Sequence, residues 1–430
     1  MTTTLPVPAH PESVFTYGAP RLLFGAGAAG EVGHELAVLG ALRVLVVTDA
    51  GLAETGSPQR VADAMAPFGV EAHVWAGAHV EPTDASLTEA IGYAVQSGPW
   101  DAFVAVGGGS AIDTAKAVAL MTTNPGTLLD YVNAPVGGGR APERPLKPLV
   151  AVPTTTGTGS EATTICVLDV LASRVKSGIS HPALRPVLAV VDPDLSATQP
   201  PEVTACSGMD ILCHALESWT ARVYTAYERK APHERVPYCG ANPVSDLFAE
   251  RALTLLAGAF RRAVHDGDRD ARERMALAAT FAGLGFGNAG VHVPHACAYP
   301  VAGRVRGFRP AGYPGDEPLV PHGMAVSLTA PEAFRLTFDA DPARHLAAAR
   351  LLSPGAEVAG PERDHLPAVL GALMRDVGMP SGLAEVGYGA GDVPALVEGA
   401  LAQQRLLATA PLPVGEAELT AVVERSLHLW

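Results

Sequence analysis

The stretch GMDILCHALESW (208–219) places a carboxylate and an imidazole, those of Asp210 and His214, four residues apart in a run of helical character. On a helix, residues four apart lie on the same face, one turn from each other. Such a pair could be a surface hydrogen bond that stabilises the helix by about 0.2–0.5 kcal/mol. It could also supply two ligands to a metal ion, but two ligands alone do not hold a metal, so other residues must decide.

Two further histidines are candidates for the same site. His295 lies in HACAYP (295–300) and His322 in PHG (321–323). If both imidazoles converge on Asp210 and His214, three nitrogens and one oxygen would suit Fe²⁺ or Zn²⁺, with an open position for a substrate oxygen. The spacing does not establish this convergence, because the residues lie far apart along the chain.

A glycine-rich turn is the first candidate for cofactor binding. The stretch FVAVGGGSAIDTAKA (103–117) is typical of a strand, a turn at Gly107–Gly109 and a helix from about Ser110. Glycines let the backbone approach a ligand, and the free N–H groups of a helix N-terminus suit a pyrophosphate. A tight strand-to-helix turn without a ligand is the alternative, and the G-x-G-x-x-G motif is not present.

Two more features point to the same kind of ligand. The stretch AVPTTTGTGSEAT (151–163) follows another apolar run and is dense in hydroxyl groups, which suits a phosphate or a ribose, although a polar loop would look the same. Asp49 ends the first strong strand, where an acid can accept hydrogen bonds from adenosine ribose hydroxyls. The alternative for Asp49 is a helix N-cap.

The elements that carry these residues fall into two halves. Strand-like runs at 43–49, 71–75, 101–106 and 148–153 alternate with helical patterns at 58–69, 84–98 and 110–121. This alternation predicts an α/β domain with a doubly wound parallel sheet over residues 1–197, and two further strand-like runs at 163–170 and 186–193 complete this half. Helical patterns such as 242–264 and 270–287 predict an all-α domain over 198–430.

The composition limits the classes of partner. The 430 residues are 48% hydrophobic with a net charge of −14, which argues against binding to nucleic acid or an anionic membrane. Five scattered cysteines without a C-x-x-C pair favour a reducing compartment. The first residues look unlike a secretory leader, and uncharged apolar runs stay short of about 18 residues. We therefore expect a cytoplasmic protein without a membrane span.

Taken together, the quoted stretches resemble the iron-containing (group III) metal-dependent alcohol dehydrogenase family, from about residue 14 to the C-terminus. The stretches GGGSAIDTAK, PTTTGTGSEAT, GMDILCHALESW, HACAYP and PHG carry the resemblance. The stretches CGANPVSDL (239–247), GFGNAGVHVPHACAYPVAG (285–303) and PLVPHGMAVSLTAPEAF (318–334) are similar to the hydroxyacid-oxoacid transhydrogenase branch. The resemblance implies a dehydroquinate-synthase-like fold with an interdomain cleft, NAD or NADP, one Fe²⁺ or Zn²⁺ ion, and a homodimer.

The resemblance also assigns residues. As metal ligands it implies Asp210, His214, His295 and His322. As cofactor-binding residues it implies Asp49, Gly107, Gly108, Gly109, Ser110, Asp113, Thr154, Thr155 and Thr158. Tyr299 stands where many family members have a histidine that is thought to relay protons. His292 could take that role instead, or could simply pack in a helix. Cys297 is expected to pack near the ligands.

The implied function is hydride transfer between NAD(H) and a small alcohol or aldehyde, here an anionic hydroxy acid/oxo acid pair of the 4-hydroxybutyrate type. Candidate groups for the substrate carboxylate are Lys176, Arg304, Arg306 and Arg309, and each could equally be an ordinary solvated charge. One alternative is NAD(P)H-dependent reduction of a small aldehyde such as phosphonoacetaldehyde. A dehydroquinate-synthase-type lyase is a further alternative. The chain contains only four lysines, and this small number disfavours such a lyase.

Overall fold

The computed structural model of the protein describes residues 5, 7–172, 175–313, 317–355 and 359–430. The chain divides into two units. An α/β unit spans Ala19–Thr198, and a helical unit comprises the residues before Ala19 together with Gln199–Trp430.

The strands of the α/β unit follow the predicted alternation with helices. They are β1 (Arg21–Phe24), β2 (Arg43–Val47), β3 (Glu71–Trp75), β4 (Ala102–Gly107), β5 (Leu149–Pro153), β6 (Ile165–Val170), β7 (Val175–Ser180) and β8 (Leu188–Val191). Six of them form one parallel sheet in the order β1-β8-β5-β4-β2-β3. Its helices are α1 (Val32–Val38), α2 (Ala50–Glu54), α3 (Ser57–Asp63), α4 (Asp84–Ser97), α5 (Gly109–Met121) and α6 (Leu128–Tyr131).

The sheet is covered by helices on both faces. Side chains alternate along a strand, so Val104 and Val106 of β4 join one apolar cluster, while Phe103 and Ala105 join another. The first cluster includes residues of α1 and α3, and the second includes residues of α4 and α5. Strands buried on both faces read as continuous apolar runs, and β4 is buried throughout. The prediction of a doubly wound parallel sheet is confirmed.

One predicted strand does not join this sheet. The run at 163–170 forms β6, which pairs antiparallel with β7 in a separate two-stranded sheet. Cys166, Leu168 and Val170 of β6 pack in a third cluster with Leu120 of α5. The apolar residues of β6 therefore cover α5 and do not extend the parallel sheet.

The regular elements found in the described part of the helical unit are helices. They are α7 (Pro201–Thr220), α8 (Pro243–His265), α9 (Arg269–Ala289), α10 (Val293–Gly303), α11 (His322–Ser327), α12 (Ala330–Thr337), α13 (Pro342–Leu352), α14 (His365–Asp376), α15 (Val393–Leu401), α16 (Gln404–Leu407) and α17 (Glu416–Arg425). Side-chain oxygens of Asn242 and Asp268 cap the starts of α8 and α9. Among the described residues, no single helix is both long and apolar enough to cross a membrane. Helices α9 and α10 together reach the required length and hydropathy, but the chain bends by 105° between them.

The segment before Ala19 packs with the helical unit, whereas the sequence placed it in the first domain. Glu12 is 6% exposed and accepts a hydrogen bond from the N–H of Lys230. Gly18 exchanges two hydrogen bonds with the side chain of Asn288 at 2.9 and 3.0 Å. This segment has no apolar periodicity of its own, so only its distant partners reveal where it belongs.

Candidate active site

Helix α7 presents Asp210 and His214 on one buried face, 2% and 4% exposed. The helix is buried along most of its length, because small residues allow its neighbours to approach closely. A Cβ added at Gly208 would lie 2.1 Å from the ring of Phe260. The Asp210–His214 pair is therefore not a solvated surface pair.

His295 of α10 and His322, the first residue of α11, meet Asp210 from two other elements. The Nε2 atoms of His295 and His322 lie 3.6 and 3.8 Å from Oδ1 of Asp210, and Nε2 of His214 lies 3.7 Å from it. One ligand atom each from Asp210, His295 and His322 lies within 4.8 Å of the other two. His214 reaches the Asp210 oxygen but falls outside this group of three.

These distances are longer than hydrogen bonds but suit atoms that share a cation. Ligands about 2.1 Å from one tetrahedral ion lie about 3.4 Å from each other. Asp210 Oδ1 and His295 Nε2 are buried, and among the described residues neither has a hydrogen-bond partner. Buried polar atoms left in this state cost free energy, and a bound divalent cation would satisfy both. The donor set therefore fits the metal that the sequence predicts.

Without a metal, the cluster has an uneven charge distribution. Burial lowers the pKa of His214 to about 3, so its imidazole is neutral. For His295 burial acts in the same direction, but Glu217 and Asp210 outweigh it and raise the pKa to about 9. For Asp210 burial raises the pKa, yet His214 and His322 hold it well below its ordinary value. The cluster therefore contains an ionised carboxylate, and the imidazole of His295 is protonated at neutral pH.

Glu217 belongs to this cluster, although it is not among the residues predicted from the sequence. It lies on α7, is fully buried, and its Oε1 is 2.5 Å from Nδ1 of His295. Positions 210, 214 and 217 follow the spacing of one helix face, which is the signal that could have identified it.

Two more residues position the candidate metal ligands. The ring of Phe286 stacks on His214 with centroids 3.9 Å apart and an interplanar angle of 8°. A Cβ at Gly323 would lie 2.0 Å from the carbonyl oxygen of Cys206 and 2.8 Å from Cβ of Asp210. Glycine after His322 therefore lets α11 come close enough to α7 for its histidine to reach Asp210.

Tyr299 and His292, the two candidates for proton transfer, have different surroundings. The Tyr299 ring lies 6.1 Å from that of His322, a candidate ligand whose side chain is 29% exposed. His292 is fully buried, its Nε2 pairs with Oγ1 of Thr220 at 3.0 Å, and burial lowers its pKa to about 4. Its ring also packs edge-on against Phe334. The structure therefore places His292 in the packed core and leaves Tyr299 beside the cluster.

In the α/β unit, the glycine turn and the threonine-rich loop lie against each other. A Cβ at Gly108 would lie 3.1 Å from Oγ1 of Thr155, and one at Gly109 would lie 2.9 Å from the side chain of Thr158. The N–H of Thr154 donates to the carbonyl oxygen of Gly107 at 3.0 Å. The two stretches that the sequence singled out separately therefore form one continuous surface at the start of α5.

Two other predicted cofactor residues, Asp49 and Ser110, have protein partners. Asp49 caps α2, with its Oδ1 accepting from the N–H of Leu52 at 2.8 Å, which is the alternative considered for it. Its Oδ2 still lies beside Gly107. The hydroxyl of Ser110 accepts from the N–H of Glu81 at 3.2 Å.

The predicted cofactor-binding role of Asp113 is not supported, because both of its carboxylate oxygens have protein partners. Its Oδ1 accepts from the hydroxyl of Ser160 at 2.6 Å and lies 3.3 Å from Nζ of the fully buried Lys116. Its Oδ2 accepts from the N–H of Val167. The two carboxylate oxygens hold the threonine-rich loop and β6 against α5. Asp113 therefore stabilises the packing beneath the glycine turn and the threonine-rich loop.

The candidate anion-binding groups differ in their exposure and in their ion pairs. Lys176 is 9% exposed and forms ion pairs with Glu81 and Asp169, so its charge is neutralised within the α/β unit and the assignment fails. Arg306 is paired with Asp392. Arg304 lies exposed at the C-terminal end of α10, the helix that carries His295.

Two neighbouring residues serve the packing. The guanidinium of Arg309 donates to the carbonyl oxygen of Tyr313 at 2.7 Å. Cys297 is buried, and burial raises the pKa of its thiol to about 12, which suits the packing role expected for it.

Comparisons with known proteins agree with this geometry. Residues 19–193 match the family described as iron-containing alcohol dehydrogenase, and residues 234–427 match the C-terminal part of the same family. The chain is 43% identical to the mitochondrial hydroxyacid-oxoacid transhydrogenase of Bos taurus over 424 residues, which covers 97% of this chain and 90% of the relative.

Solved structures show the same fold. A 1,3-propanediol oxidoreductase has a TM-score of 0.83 and 30% identity, covering 96% of this chain and all of its own. A sulfoacetaldehyde reductase from Bifidobacterium kashiwanohense in complex with NAD⁺ has a TM-score of 0.79 and 26% identity, with 95% and 98% covered. Both cover the two units, which confirms the predicted dehydroquinate-synthase-like architecture.

The comparisons contradict the expected location. The similar transhydrogenases are named as mitochondrial proteins, so the prediction of a cytoplasmic protein is wrong. Unpaired cysteines indicate only a reducing environment and do not distinguish one such compartment from another.

Family membership implies a nicotinamide dinucleotide and a divalent metal, and the ligand atoms of Asp210, His295 and His322 form a candidate site for that metal. The extent of the match and the identity to transhydrogenases exclude a chance resemblance of short motifs. The chain belongs to the iron-containing alcohol dehydrogenase family, is an oxidoreductase, and falls in the hydroxyacid-oxoacid transhydrogenase branch.

Proposed function

We propose that this protein transfers hydride from a small hydroxy acid to an oxo acid, with 4-hydroxybutyrate and 2-oxoglutarate as the pair to test first. The observation that carries the proposal is the 43% identity to a hydroxyacid-oxoacid transhydrogenase over 97% of the chain. That identity does not favour phosphonoacetaldehyde reduction or a dehydroquinate-synthase-type lyase.

The proposed metal ligands are Asp210, His214, His295 and His322, and Fe²⁺ or Zn²⁺ is the proposed ion. In favour of this set, all three imidazoles present Nε2 to the same carboxylate oxygen at 3.6–3.8 Å. Borderline ions of this kind accept nitrogen and carboxylate ligands together. When bound, the metal supplies Lewis acidity toward a substrate oxygen, and the nicotinamide supplies hydride transfer.

The chain's own residues bind and orient these groups. The proposed cofactor surface consists of the glycine turn, the facing threonines and Asp49, with Ser110 at the start of α5. NAD is proposed over NADP because the carboxylate of Asp49 would repel a 2′-phosphate. Tyr299 is the proposed proton-transfer residue because its ring lies beside His322. Arg304 is the proposed partner of the substrate carboxylate.

The proposal is tested with purified full-length protein whose metal content has been measured. The protein is incubated with 4-hydroxybutyrate and 2-oxoglutarate, without added NAD, and succinate semialdehyde and 2-hydroxyglutarate are quantified. We expect the two products in equal amounts, and we expect their formation to stop in Asp210→Asn protein. Asp246→Asn is the control, because Asp246 pairs with Arg344 in the same unit and belongs to no part of the ligand cluster.

Parallel reactions contain NADH with simple aldehydes or with phosphonoacetaldehyde. Faster turnover of either than of the hydroxy acid/oxo acid pair would overturn the proposed substrate class. Absence of product from every reaction of the metal-loaded protein would overturn the proposed activity.

We also propose that the protein is a homodimer, as the resemblance to the family implies. We further propose that it binds neither nucleic acid nor membranes, which its net charge of −14 favours. Light scattering is expected to give twice the mass of one chain, and a monomer mass would contradict this.

A further inference from the structure

We propose that Glu217 is a positioning residue that holds His295 with its hydrogen on Nδ1, so that the lone pair of Nε2 points toward Asp210 and a bound cation. This inference rests on the proposed metal site. It assigns Glu217 a role in metal affinity, beyond the packing of α7 and beyond the four proposed ligands.

The contacts of Glu217 leave it little freedom. Its Oε1 is 2.5 Å from Nδ1 of His295, and its Oε2 accepts from the backbone N–H of His292 at 2.6 Å. The N–H of His295 also points to Oε2, at 3.4 Å. Both carboxylate oxygens are therefore occupied, and the side chain is fully buried. Helix α7 thus carries Asp210 and His214 and also holds the ligand of α10.

The chemistry of a carboxylate fixes which nitrogen carries the hydrogen. An ionised carboxylate can only accept hydrogen bonds, so Nδ1 of His295 must donate. When His295 is neutral, its Nε2 then has a free lone pair and faces Oδ1 of Asp210 at 3.6 Å. A histidine that binds a metal through one nitrogen commonly donates its other N–H to such a carboxylate.

His214 shows that the arrangement is specific to one ligand. Its Nδ1 is buried, and no described residue pairs with it, while the ring is held by stacking on Phe286. Two imidazoles in one cluster are thus fixed by different means. The effect of changing Glu217 should therefore pass through His295.

Glu217→Gln separates this role from simple packing, because an amide has one acceptor and one donor end. If the amide oxygen stays with the backbone N–H of His292, the NH₂ group faces Nδ1 of His295 and forces the hydrogen onto Nε2. If the amide is reversed, the NH₂ group meets the N–H of His292. The substitution keeps the size of the side chain, yet it either blocks the metal-binding nitrogen or leaves a buried donor without an acceptor.

The experiment measures the Zn²⁺ dissociation constants of wild-type and Glu217→Gln protein by competition with a chelator. We expect binding to weaken about 10- to 100-fold in the variant. Glu12→Gln is the matched control, because Glu12 is also a buried carboxylate in this unit that accepts backbone hydrogen bonds. Its dissociation constant should stay within about twofold of wild type. Melting curves of the metal-free proteins show whether each variant is folded.

The outcomes distinguish this inference from the proposed metal site. If wild-type protein does not bind Zn²⁺, the metal site itself fails. If wild type binds Zn²⁺ and folded Glu217→Gln protein binds it equally well, the role of Glu217 is wrong.

A second measurement does not depend on the variant folding. In Zn²⁺-loaded wild-type protein with ¹⁵N-labelled histidines, the His295 signal, identified by its absence from His295→Gln protein, should show hydrogen on Nδ1 and metal on Nε2. Coordination through Nδ1, or an Nδ1 without hydrogen, would overturn the inference.

Discussion

Replacing Gly323 by alanine tests whether the approach of α11 to α7 builds the metal site. The added Cβ would lie 2.0 Å from the carbonyl oxygen of Cys206 and 2.8 Å from Cβ of Asp210. The third close atom, 3.0 Å away, is the backbone nitrogen of Asp210, and backbone atoms such as this one and the Cys206 oxygen cannot rotate away as the end of a side chain can. Restoring an ordinary carbon–oxygen contact of about 3.2 Å requires α11 to move by about 1 Å.

That displacement has two calculable effects. Overfilling a packed core of this kind costs about 1–3 kcal/mol of stability. Because α11 begins at His322, the shift also carries its Nε2 away from Asp210, from which it is 3.8 Å in the native structure. Metal–ligand distances tolerate only about 0.2 Å, so we expect the bond from His322 to be lost. A misplacement of about 1 Å at a reacting centre lowers activity about 100-fold.

The assay combines chelator competition for Zn²⁺, transhydrogenase activity and thermal unfolding of the metal-free protein. Gly258→Ala in α8 is the control, because among the described residues no atom beyond the neighbouring backbone of its own helix lies within 4 Å of its added Cβ. That variant should be stabilised by about 0.5–1 kcal/mol with unchanged metal binding. The reasoning is refuted if Gly323→Ala protein matches wild type in both metal affinity and melting temperature.

Three further outcomes follow from buried charges. His295 is protonated below its pKa of about 9, and this proton must leave when a metal binds. Apparent metal affinity should therefore rise about tenfold for each pH unit below that value. An affinity that does not depend on pH would contradict this. Lys116→Met removes the cation beside Asp113 and should lower the unfolding free energy by about 3–5 kcal/mol in a urea titration, whereas a loss below about 1 kcal/mol would be inconsistent with a buried pair. The N–H of Lys230, together with other donors, lowers the pKa of Glu12 from 4.5 to about 2. Its stabilising effect is therefore complete above about pH 4.5 and is lost as the pH falls toward 2, so the melting-temperature difference between wild type and Glu12→Gln should shrink over that range.

The parts of the fold that the sequence predicts are those with a strong local pattern. Strand β4 is buried on both sides and reads as an uninterrupted apolar run. Strand β1 was missed because it has only four residues and half of them are exposed. The run at 163–170 predicts strand β6 but not its pairing with β7, because β7 contains serine, lysine and glycine and the pairing depends on tertiary contacts. Local apolar patterns identify a strand, but they do not identify its neighbour.

The candidate site shows the same limit. The spacing of Asp210 and His214 predicts a shared helix face, but only the resemblance to a family linked them to His295 and His322. Glu217 has the right spacing and was overlooked, since a single carboxylate on a helix carries no sign of its partner. Lys176 was misassigned because the acids that neutralise it, Glu81 and Asp169, lie elsewhere in the sequence.

The helical unit is discontinuous in the chain, and this has a consequence for biosynthesis. Residues 19–198 emerge from the ribosome as an uninterrupted stretch that contains every strand of the parallel sheet. Glu12 and Gly18 are translated earlier, yet their partners Lys230 and Asn288 follow more than 200 residues later. Because domains tend to fold in order of synthesis, we expect the leading segment to wait unpaired while the sheet assembles. Nascent chains stalled before Lys230 should therefore leave that segment open to proteases.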